Sequence, residues 1–560
     1  MSASDKKKLR KELANAQMTE RQKQALAEEK KTKALTITFV VIMLAIVVTT
    51  VGILGVKLVN SSGVIEKNTT AVTVGNHKLN TVQLNYYMVD TVKSQYQQLS
   101  SMYGQTGQSL AMQLMMSQPS LNINAPLNEQ VINKQNGETW ADTFLHQAVE
   151  KAKSDYTLYD KAIAAGFKLT EEDETTIELN LQQLKLSAMY YGGTSNADKY
   201  LQAIYGNGAS MKSYEEYLRV SYIASEYYNQ HKDSLKYDDN AIRVEDNKDL
   251  NKYTSFSYAT YYLSGSSFLE GGTKDDKGNI SYTEAEKQAA LKKAEEIANS
   301  LKASKDITEL DTAIKALEIN KDNQSAASTQ NTLVMYEAIP ESMREWISNK
   351  DRVENEITII ANESANKDAD GKETKVTNGY YVVLFQARDE NLRPLANVRH
   401  LLVAFKGGTT GSDGKTVYTQ AEKDAAKAKA EEYLATWEKG EHTENSFIAM
   451  VKEHSDDTGT KENGGLIEDI HRDSNLVEYF KNWSVDAERK PGDTSVIISD
   501  YGYHVMYYVG DGELTYRDYM ISEDLRAAEI TKWHEELIKP VVAKVENTKR
   551  VKMDIIMAAL

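Results

Sequence analysis

The chain has 560 residues, 82 acidic and 66 basic, for a formal net charge of −16, and its length predicts three or four domains of about 150 residues. The acidic balance argues against a nucleic-acid-binding protein, which needs clustered Lys and Arg for its phosphate contacts. With no cysteine and only nine histidines, the composition excludes disulfides, thiolate metal sites and cysteine nucleophiles, and it disfavours a metalloenzyme.

The first 60 residues combine a basic segment with a long apolar one. Residues 1–33 carry ten Lys or Arg and five Asp or Glu, and Ala34–Val56 then run for 23 positions without a charge. A helix of this length crosses a hydrocarbon core of about 30 Å, and the positive-inside rule keeps its basic side in the cytoplasm. We predict a cytoplasmic segment at 1–33, a transmembrane signal anchor at 34–57, and export of the rest. A cleaved signal peptide is the alternative, but it would have a shorter apolar core and a small-residue cleavage site.

Residues 64–250 have a mostly helical pattern, which predicts a helical domain. Apolar residues recur at helical spacing in Glu129–Ala165, and Thr170 followed by acidic residues is typical of a helix N-terminus. Two short helices are expected between Lys199 and Tyr228. Residues 511–560 are predicted to form a C-terminal helical segment that packs back on the body of the protein.

The remaining sequence contains an internal repeat. Gly271–Leu301 and Gly407–Trp437 align without a gap at an offset of 136, with 15 identities in 31 positions. Each copy has an apolar strand before its glycines, a long helix rich in Ala, Lys and Glu, and a late strand that begins with Gly-Tyr. This pattern predicts two homologous α/β domains, at 251–390 and 395–510, within an α+β multidomain chain.

The second copy carries residues that can do chemistry. His400 lies in its first strand and His504 in its last strand, so both side chains can point to one face of a sheet. Between them come a Ser-Asp-Asp run ending at Asp457 and the apolar pair Leu476 and Phe480, which would share one face of a helix.

In this order, these residues resemble the parvulin family of peptidyl-prolyl isomerases. The matching motifs are VRHLLV, a phenylalanine helix ending in Ser-Asp-Asp, Gly-Gly, an apolar pocket helix, KPGD and YGYHV, over about residues 396–510. One departure is that Gly464-Gly465-Leu466-Ile467-Glu468 stands where the family has Gly-Gly-Asp-Leu-Gly. The wider architecture is similar to that of PrsA-type and SurA-type extracytoplasmic foldases, in which a helical chaperone domain accompanies parvulin modules.

The resemblance implies an activity and the residues that carry it. The catalytic residues carried over by motif are His400, Asp457 and His504. The substrate-binding residues carried over are Leu476, Phe480, Ser499 and Tyr501. Isomerisation of an X-Pro bond needs no cofactor or metal, since it requires only an apolar cup for the ring and polar groups that favour the twisted amide. The implied partners are unfolded exported polypeptides with X-Pro bonds, the membrane through one helix, and a second copy of the chain as a homodimer, with no nucleic acid.

The first copy lacks these groups. Tyr261 is expected at the position of His400, and Tyr381 at the position of His504. We therefore predict an inactive parvulin-like domain that is kept for structure or for peptide binding.

Two classes of function stay open. The leading hypothesis is a prolyl isomerase and chaperone at the outer face of the cytoplasmic membrane. Its alternative is a catalytically weak holdase or quality-control scaffold that binds unfolded exported polypeptides. A cell-wall or adhesion protein is disfavoured because the sequence has neither surface repeats nor a sorting signal.

Overall fold

The computed structural model describes residues 62–103, 121–367, 373–411 and 415–559, with a few isolated positions before residue 62. Apart from those isolated positions, the predicted cytoplasmic segment at 1–33 and the predicted anchor at 34–57 lie outside the described residues. Within the described ranges, no helix is both long enough and apolar enough to pass through a bilayer.

The chain divides into two compact units. One contains Met1–Leu235 and Glu529–Leu560, and the other contains Lys236–Ala528. Both units mix helices and strands, so this is a multidomain α+β chain. Each strand pairing in the described ranges is antiparallel. The two repeat copies therefore lack the parallel sheet that defines an α/β domain, contrary to the prediction for them.

The first unit is mainly helical. Its helices are α1 (Val64–Asn68), α2 (Thr81–Tyr103), α3 (Trp140–Ala164), α4 (Glu171–Tyr190), α5 (Ala197–Tyr205) and α6 (Met211–Ser234). Its strands are β1 (Thr70–Val74), β2 (His77–Asn80), β3 (Val131–Asn133), β4 (Glu138–Thr139) and β17 (Ala543–Val545), with β1 between β17 and β2 in one sheet. The core is rich in tyrosine, and the hydroxyls of Tyr205 and Tyr217 each donate to the Asp90 carboxylate at 2.9 Å. The hydroxyls of these two tyrosines are thereby satisfied inside an apolar core.

Two helix predictions in this unit were wrong at their boundaries. The helix expected over Glu129–Ala165 begins only at Trp140, because β3 and β4 form a hairpin ahead of it and Thr139 caps its first turn. Two short helices were expected between residues 199 and 228. The second of them, α6, is instead a long helix of 24 residues.

The second unit begins with helix α7 (Asp239–Asp246) and then contains both copies of the repeat. The first module has strands β5 (Ser255–Ser264), β6 (Thr273–Lys274), β7 (Ile280–Ser281), β8 (Thr329–Met335), β9 (Ile357–Lys367) and β10 (Glu373–Asp389). Its helices are α8 (Glu284–Leu301), α9 (Ile307–Lys315) and α10 (Glu341–Ser348).

The second module repeats this sequence of elements. Its strands are β11 (Pro394–Ala404), β12 (Thr409–Thr410), β13 (Thr416–Val417), β14 (Leu466–Ile470), β15 (Thr494–Ile498) and β16 (Gly502–Thr515). Its helices are α11 (Gln420–Lys439), α12 (Glu444–His454) and α13 (Glu478–Ser484), and α14 (Tyr516–Ile538) follows it. The C-terminal helix thus ends before Lys539, which precedes a proline and is disfavoured in helical conformation. A strand, β17, follows it where helix was predicted.

The two modules share one sheet topology. The strand order is β8-β5-β10-β9 in the first and β14-β11-β16-β15 in the second, which is the same order of equivalent strands. A loop contact is also shared, since Glu286 accepts the Gly272 N–H at 3.0 Å and Glu422 accepts the Gly408 N–H at 2.8 Å. The 136-residue repeat therefore specifies the same framework twice.

Strand register corrects one predicted correspondence between the modules. The equivalent pairs across the two central strands are Tyr262 with Tyr381 and Leu402 with His504. Counting back two residues along each first strand places Thr260, and not Tyr261, at the position of His400. Tyr261 lies on the opposite face, where its hydroxyl accepts a hydrogen bond from Asn320 at 2.8 Å. A one-residue error changes the face because side chains alternate along a strand.

Candidate active site

Two neighbouring strands bring His400 and His504 together. β11 and β16 pair so that His400 lies opposite Met506 and Leu402 lies opposite His504. The histidines are therefore diagonal neighbours on one face of the sheet. Their Nδ1 atoms are 3.0 Å apart, and both residues are buried, with 4% and 6% of their surface exposed. The two predicted histidines thus form one hydrogen-bonded pair.

The pair is extended at both ends by polar side chains. Asp457 Oδ2 lies 3.1 Å from His400 Nε2, and Thr460 Oγ1 lies 3.1 Å from the same nitrogen. The Thr460 hydroxyl also donates to Asp457 Oδ2 at 2.6 Å. At the other end, Ser499 Oγ lies 2.8 Å from His504 Nε2. Five side chains from four separate segments therefore form one continuous network.

With both rings neutral, the network has one proton order. Because the Thr460 hydroxyl donates to Asp457, His400 Nε2 must carry a proton and donate to these two oxygens. His400 Nδ1 is then an acceptor for the His504 Nδ1–H, and His504 Nε2 accepts the Ser499 hydroxyl proton. All donors point from Ser499 towards Asp457, so the carboxylate is the terminal acceptor and sets both tautomers.

The Asp457 segment is held against the first strand of the module. The Leu402 N–H donates to Ser455 Oγ at 3.2 Å, and the Asp456 N–H donates to the Leu402 carbonyl at 2.8 Å. Asp456 also accepts the Ala404 N–H at 3.0 Å. These bonds provide partners for backbone N–H and carbonyl groups of β11 beyond the residues that pair with β14. The Ser-Asp-Asp run therefore places its last carboxylate beside His400 while its first two residues anchor the backbone.

The glycine pair before β14 allows a close approach to His400. Gly465 has a φ of +73°, and its carbonyl accepts the His400 N–H at 2.9 Å. A Cβ atom on Gly465 would lie 2.1 Å from the His400 carbonyl oxygen. The departure from the family pattern begins only at Leu466, so both glycines that the geometry requires are present.

Replacing Gly465 by alanine is expected to destabilise the second module by more than about 3 kcal/mol, because left-handed strain adds to the clash. Gly492→Ala is the matched control, since Gly492 has a φ of +94° with no atom within 4 Å of an added Cβ. Strain alone should cost that variant about 1–2 kcal/mol. Urea unfolding of both variants measures the difference, and equal losses would contradict the proposed clash.

An apolar cup lies directly against the histidines. The Phe480 ring meets the His400 and His504 rings edge-on, with centroids 5.2 and 5.5 Å apart. Leu476 is half-buried in the same cluster. The prediction that both residues share a helix was wrong, because α13 begins at Glu478 and Leu476 lies in the preceding loop. The loop nevertheless brings Leu476 to the cluster that contains Phe480.

Burial and hydrogen bonding set the charges of the network. The hydrogen bond from His400 holds the pKa of Asp457 well below its usual range, with further help from Thr460 and the Gly459 N–H, against the opposing effect of burial. Burial and, to a smaller extent, the neighbouring His400 lower the pKa of His504 to about 4, against the opposing effect of Asp457. Asp457 is therefore an anion and His504 a neutral ring at neutral pH.

The folded module should lose stability as the pH falls from about 6.5 to about 4. In this window His504 is protonated in the unfolded chain but stays neutral in the folded one. The free energy of unfolding therefore falls by on the order of 3 kcal/mol. Below this window, protonation of unfolded Asp457 removes further stability. Urea unfolding against pH measures the slope, which His504→Gln should flatten, and NMR titration of the His504 ring gives its midpoint. A midpoint near 6.5 would contradict this account.

The remaining predicted residues, Ser499 and Tyr501, lie at the His504 end of the network. Ser499 is buried, and besides its contact with His504 its Oγ accepts the Tyr501 N–H at 3.1 Å. The Tyr501 side chain is 68% exposed beside this turn. Ser499 thus joins the network, whereas Tyr501 contributes its backbone to the network and its ring to the surface.

Thr460 belongs to the site although sequence reasoning missed it. It lies in a polar run, Thr458-Gly459-Thr460-Lys461, that has no periodicity to indicate an inward-facing side chain. Its role depends on the turn in which Gly459 N–H and Thr460 O–H both donate to Asp457. Among the described residues, no cluster of three or more His, Asp or Glu side chains is arranged to hold a metal ion.

Comparison with known proteins identifies the second module. Residues 400–510 match the rotamase family model, described as a PPIC-type PPIase domain. This match confirms the parvulin resemblance drawn from the motifs. No curated protein matches the chain.

Solved structures with detectable similarity include three bacterial proteins. PrsA from Bacillus subtilis is 12% identical, with 74% of this chain and 91% of that chain covered and a TM-score of 0.24. A peptidylprolyl isomerase (PrsA) from Bacillus anthracis is 20% identical, with 27% and 59% covered and a TM-score of 0.17. A structure from Campylobacter jejuni, from a study of the SurA-like chaperones PEB4 and Cj1289, is 21% identical, with 28% and 56% covered and a TM-score of 0.14. The chain thus spans less than two thirds of the latter two proteins.

Proposed function

Since residues 400–510 form a parvulin-type peptidyl-prolyl cis-trans isomerase domain, we propose that the chain is a membrane-anchored foldase. It would catalyse X-Pro isomerisation in exported polypeptides at the outer face of the cytoplasmic membrane. The basic segment at 1–33 and the uncharged run Ala34–Val56 support the anchor and its orientation.

The contact of Phe480 with the two histidine rings carries the assignment of the site. It places an apolar surface and a polar network on the same face of one sheet. Rotation about an X-Pro bond faces a barrier of about 18–20 kcal/mol, because resonance keeps the amide planar. Leu476 and Phe480 would hold the pyrrolidine ring while the preceding carbonyl turns. A site that holds the twisted amide better than either planar form lowers this barrier without a covalent step.

Burial divides the network into two kinds of residue. His400 and His504 are almost fully buried beneath Phe480. We therefore assign them as positioning residues that hold the Phe480 ring and orient the Asp457 carboxylate. The Asp457 side chain is 27% exposed and is the charged member of the network that a peptide can approach. Tyr501 stands at the rim, where its exposed ring can cover the peptide backbone.

The isomerase activity is tested on the full chain in lipid nanodiscs. Exchange between the cis and trans forms of an Ala-Pro peptide, measured by NMR, should accelerate at catalytic concentrations of protein. A rate equal to that of empty nanodiscs would overturn the proposed enzymatic function.

The orientation is tested by single cysteines, since the natural chain has none. In intact cells, a membrane-impermeant thiol reagent should label Asn68→Cys and leave Ser2→Cys unlabelled until the membrane is opened. Labelling of both positions in intact cells would overturn the proposed anchor.

A crevice in the first unit favours the second candidate function, a holdase. Its cavity of about 980 Å³ is lined by tyrosine and aliphatic side chains, among them Tyr191, Tyr200 and Ile556, and also by polar ones such as Lys93 and Asp554. Tyr191 is 85% exposed at its edge. Such a surface can take up apolar segments of an unfolded chain with little sequence preference.

Variants of the crevice separate the two functions. Tyr191→Ser combined with Ile556→Ser should weaken suppression of client aggregation and leave isomerase activity unchanged. Val353→Ser is the control, because Val353 is also exposed (64%) but lies in the first module. If an isomerase-dead chain supports client folding as well as the natural chain, the holdase function is the relevant one.

A further inference from the structure

The loop before α13 determines where the apolar cup lies. This segment, residues 471–477, which we call the cup loop, joins β14 to the helix that carries Phe480, and it contains Leu476. Inside the loop, the His471 N–H donates to Ser474 Oγ at 2.9 Å and the Leu476 N–H donates to the Ser474 carbonyl at 2.8 Å. These bonds shape the loop locally, whereas its first residues connect it to the rest of the unit.

Arg472 attaches the cup loop to the first module. Its Nη1 donates to Asp389 Oδ2 at 2.9 Å, and its Nη2 donates to Ser255 Oγ at 2.5 Å. Ser255 and Asp389 are paired residues at the ends of β5 and β10, the two central strands of the first module. The guanidinium therefore closes over the end of that sheet, and only 21% of the Arg472 side chain is exposed.

A second set of contacts attaches the same loop to α14. The His471 ring stacks on Tyr516 at 4.4 Å and lies 5.0 Å from the Tyr519 ring. The Tyr516 hydroxyl donates to Asp473 Oδ2 at 2.6 Å, and the Arg472 guanidinium lies over the Tyr516 ring at 5.2 Å. The three residues that open the cup loop thus all contact elements outside the parvulin-type domain.

We propose that Arg472 is a positioning residue for the isomerase site, through which the first module holds the cup loop. The inference rests on the proposed function of Leu476 and Phe480 as the cup for the prolyl ring. A loop that is ordered before the peptide arrives spares the complex the entropy of ordering it. The first module, which has Thr260 and Tyr381 in place of the histidines, would serve the second module as a support.

The geometry of Arg472 makes this contact stronger than an ordinary surface ion pair. Exposed pairs contribute little, because water and salt screen them and two long side chains must be ordered. Arg472 instead makes hydrogen bonds to two acceptors, stacks on an aromatic ring and is largely shielded from water. Its removal would release the loop from the first module while leaving the histidine network in place.

The test uses Arg472→Ala and Asp389→Asn in the full chain. The cup binds the prolyl ring equally well whether the X-Pro amide is planar or twisted. We therefore expect KM for an Ala-Pro peptide to rise about fivefold, with kcat within about twofold of the natural value. Amide hydrogen exchange at Leu476 should accelerate about tenfold, while exchange in β11 and β16 stays unchanged. Arg472→Lys keeps the positive charge but loses the two-pronged guanidinium. Its KM should lie between that of Arg472→Ala and that of the natural chain.

Arg219→Ala is the matched control, because Arg219 also makes contacts to two acceptors, the carboxylates of Glu174 and Glu215, but lies in the first unit. Its KM and its cup-loop exchange should equal those of the natural chain. Unchanged KM and unchanged exchange in both test variants would overturn the inference, as would an equal effect of Arg219→Ala. An inactive natural chain would overturn the proposed function instead, and hydrogen exchange at Leu476 would still decide whether Arg472 holds the loop.

Discussion

Replacing Asp457 by alanine should lower kcat/KM for prolyl isomerisation by about 10- to 100-fold. The substitution removes the terminal acceptor of the network, so the His400 Nε2–H and the Thr460 hydroxyl lose their shared partner. A hydrogen bond to a charged group contributes about 1.5–3 kcal/mol, which corresponds to this range of rates when the loss falls on the transition state. The measurement is cis/trans exchange of an Ala-Pro peptide by NMR.

The neighbouring carboxylate provides the control for this prediction. Asp456 accepts the Ala404 N–H and faces Lys406 at 3.4 Å, whereas the carboxylate that contacts His400 is that of Asp457. Asp456→Asn keeps an acceptor for Ala404 and should retain at least half of the natural activity. An Asp457→Ala variant as active as Asp456→Asn would show that the network is not needed for catalysis.

Replacing Phe480 by alanine should reduce kcat/KM by about 100-fold and lower the stability of the second module by about 3–5 kcal/mol. The ring is 4% exposed and supports both histidines edge-on, so its loss empties the cup and removes the packing that orients the network. The activity is measured well below the melting temperature, where nearly all of the variant is folded. A lower kcat/KM then reports the loss of the cup and not the loss of folded protein.

Phe447 offers a control within the same module. It is fully buried on the opposite face of the sheet, in the cluster with Trp437 and Leu401. Phe447→Ala should cost about the same stability, about 3–5 kcal/mol, and leave kcat/KM of the folded chain within about threefold. Phe480→Leu and Phe447→Leu give the same comparison at smaller cost if an alanine variant does not fold. Equal activity of the two variants would contradict the assignment of Phe480 to the cup.

The repeat and the order of the motifs could be predicted from the sequence, because both are written in local composition. Fifteen identities at one offset required two copies of one framework, and the strand orders of the two modules are the same. The match of residues 400–510 to the PPIC-type domain confirms the identification made from the motifs. The helix cap at Thr170 was also correctly predicted from a local signal.

Predictions failed where a result depended on residues distant in sequence. Tyr261 was assigned to the position of His400, although strand register gives that position to Thr260. Thr460 was missed because its side chain turns inward only when Asp457 is held beside β11. Leu476 was placed in a helix because the i, i+4 spacing fits one, whereas the helix begins at Glu478.

By itself, the sequence determined which residues belong to the second module and what chemistry they can support, since His, Asp and Phe in this order are local information. Only the tertiary structure decided that His400 and His504 meet at Nδ1, because the pairing of β11 and β16 sets that distance. It also decided that the histidine-free module contacts the cup loop through Arg472, since that contact joins residues 83 positions apart. The physical reason is the same in both cases: side chains acquire partners from strand pairing and packing, which bring together segments that no local pattern connects.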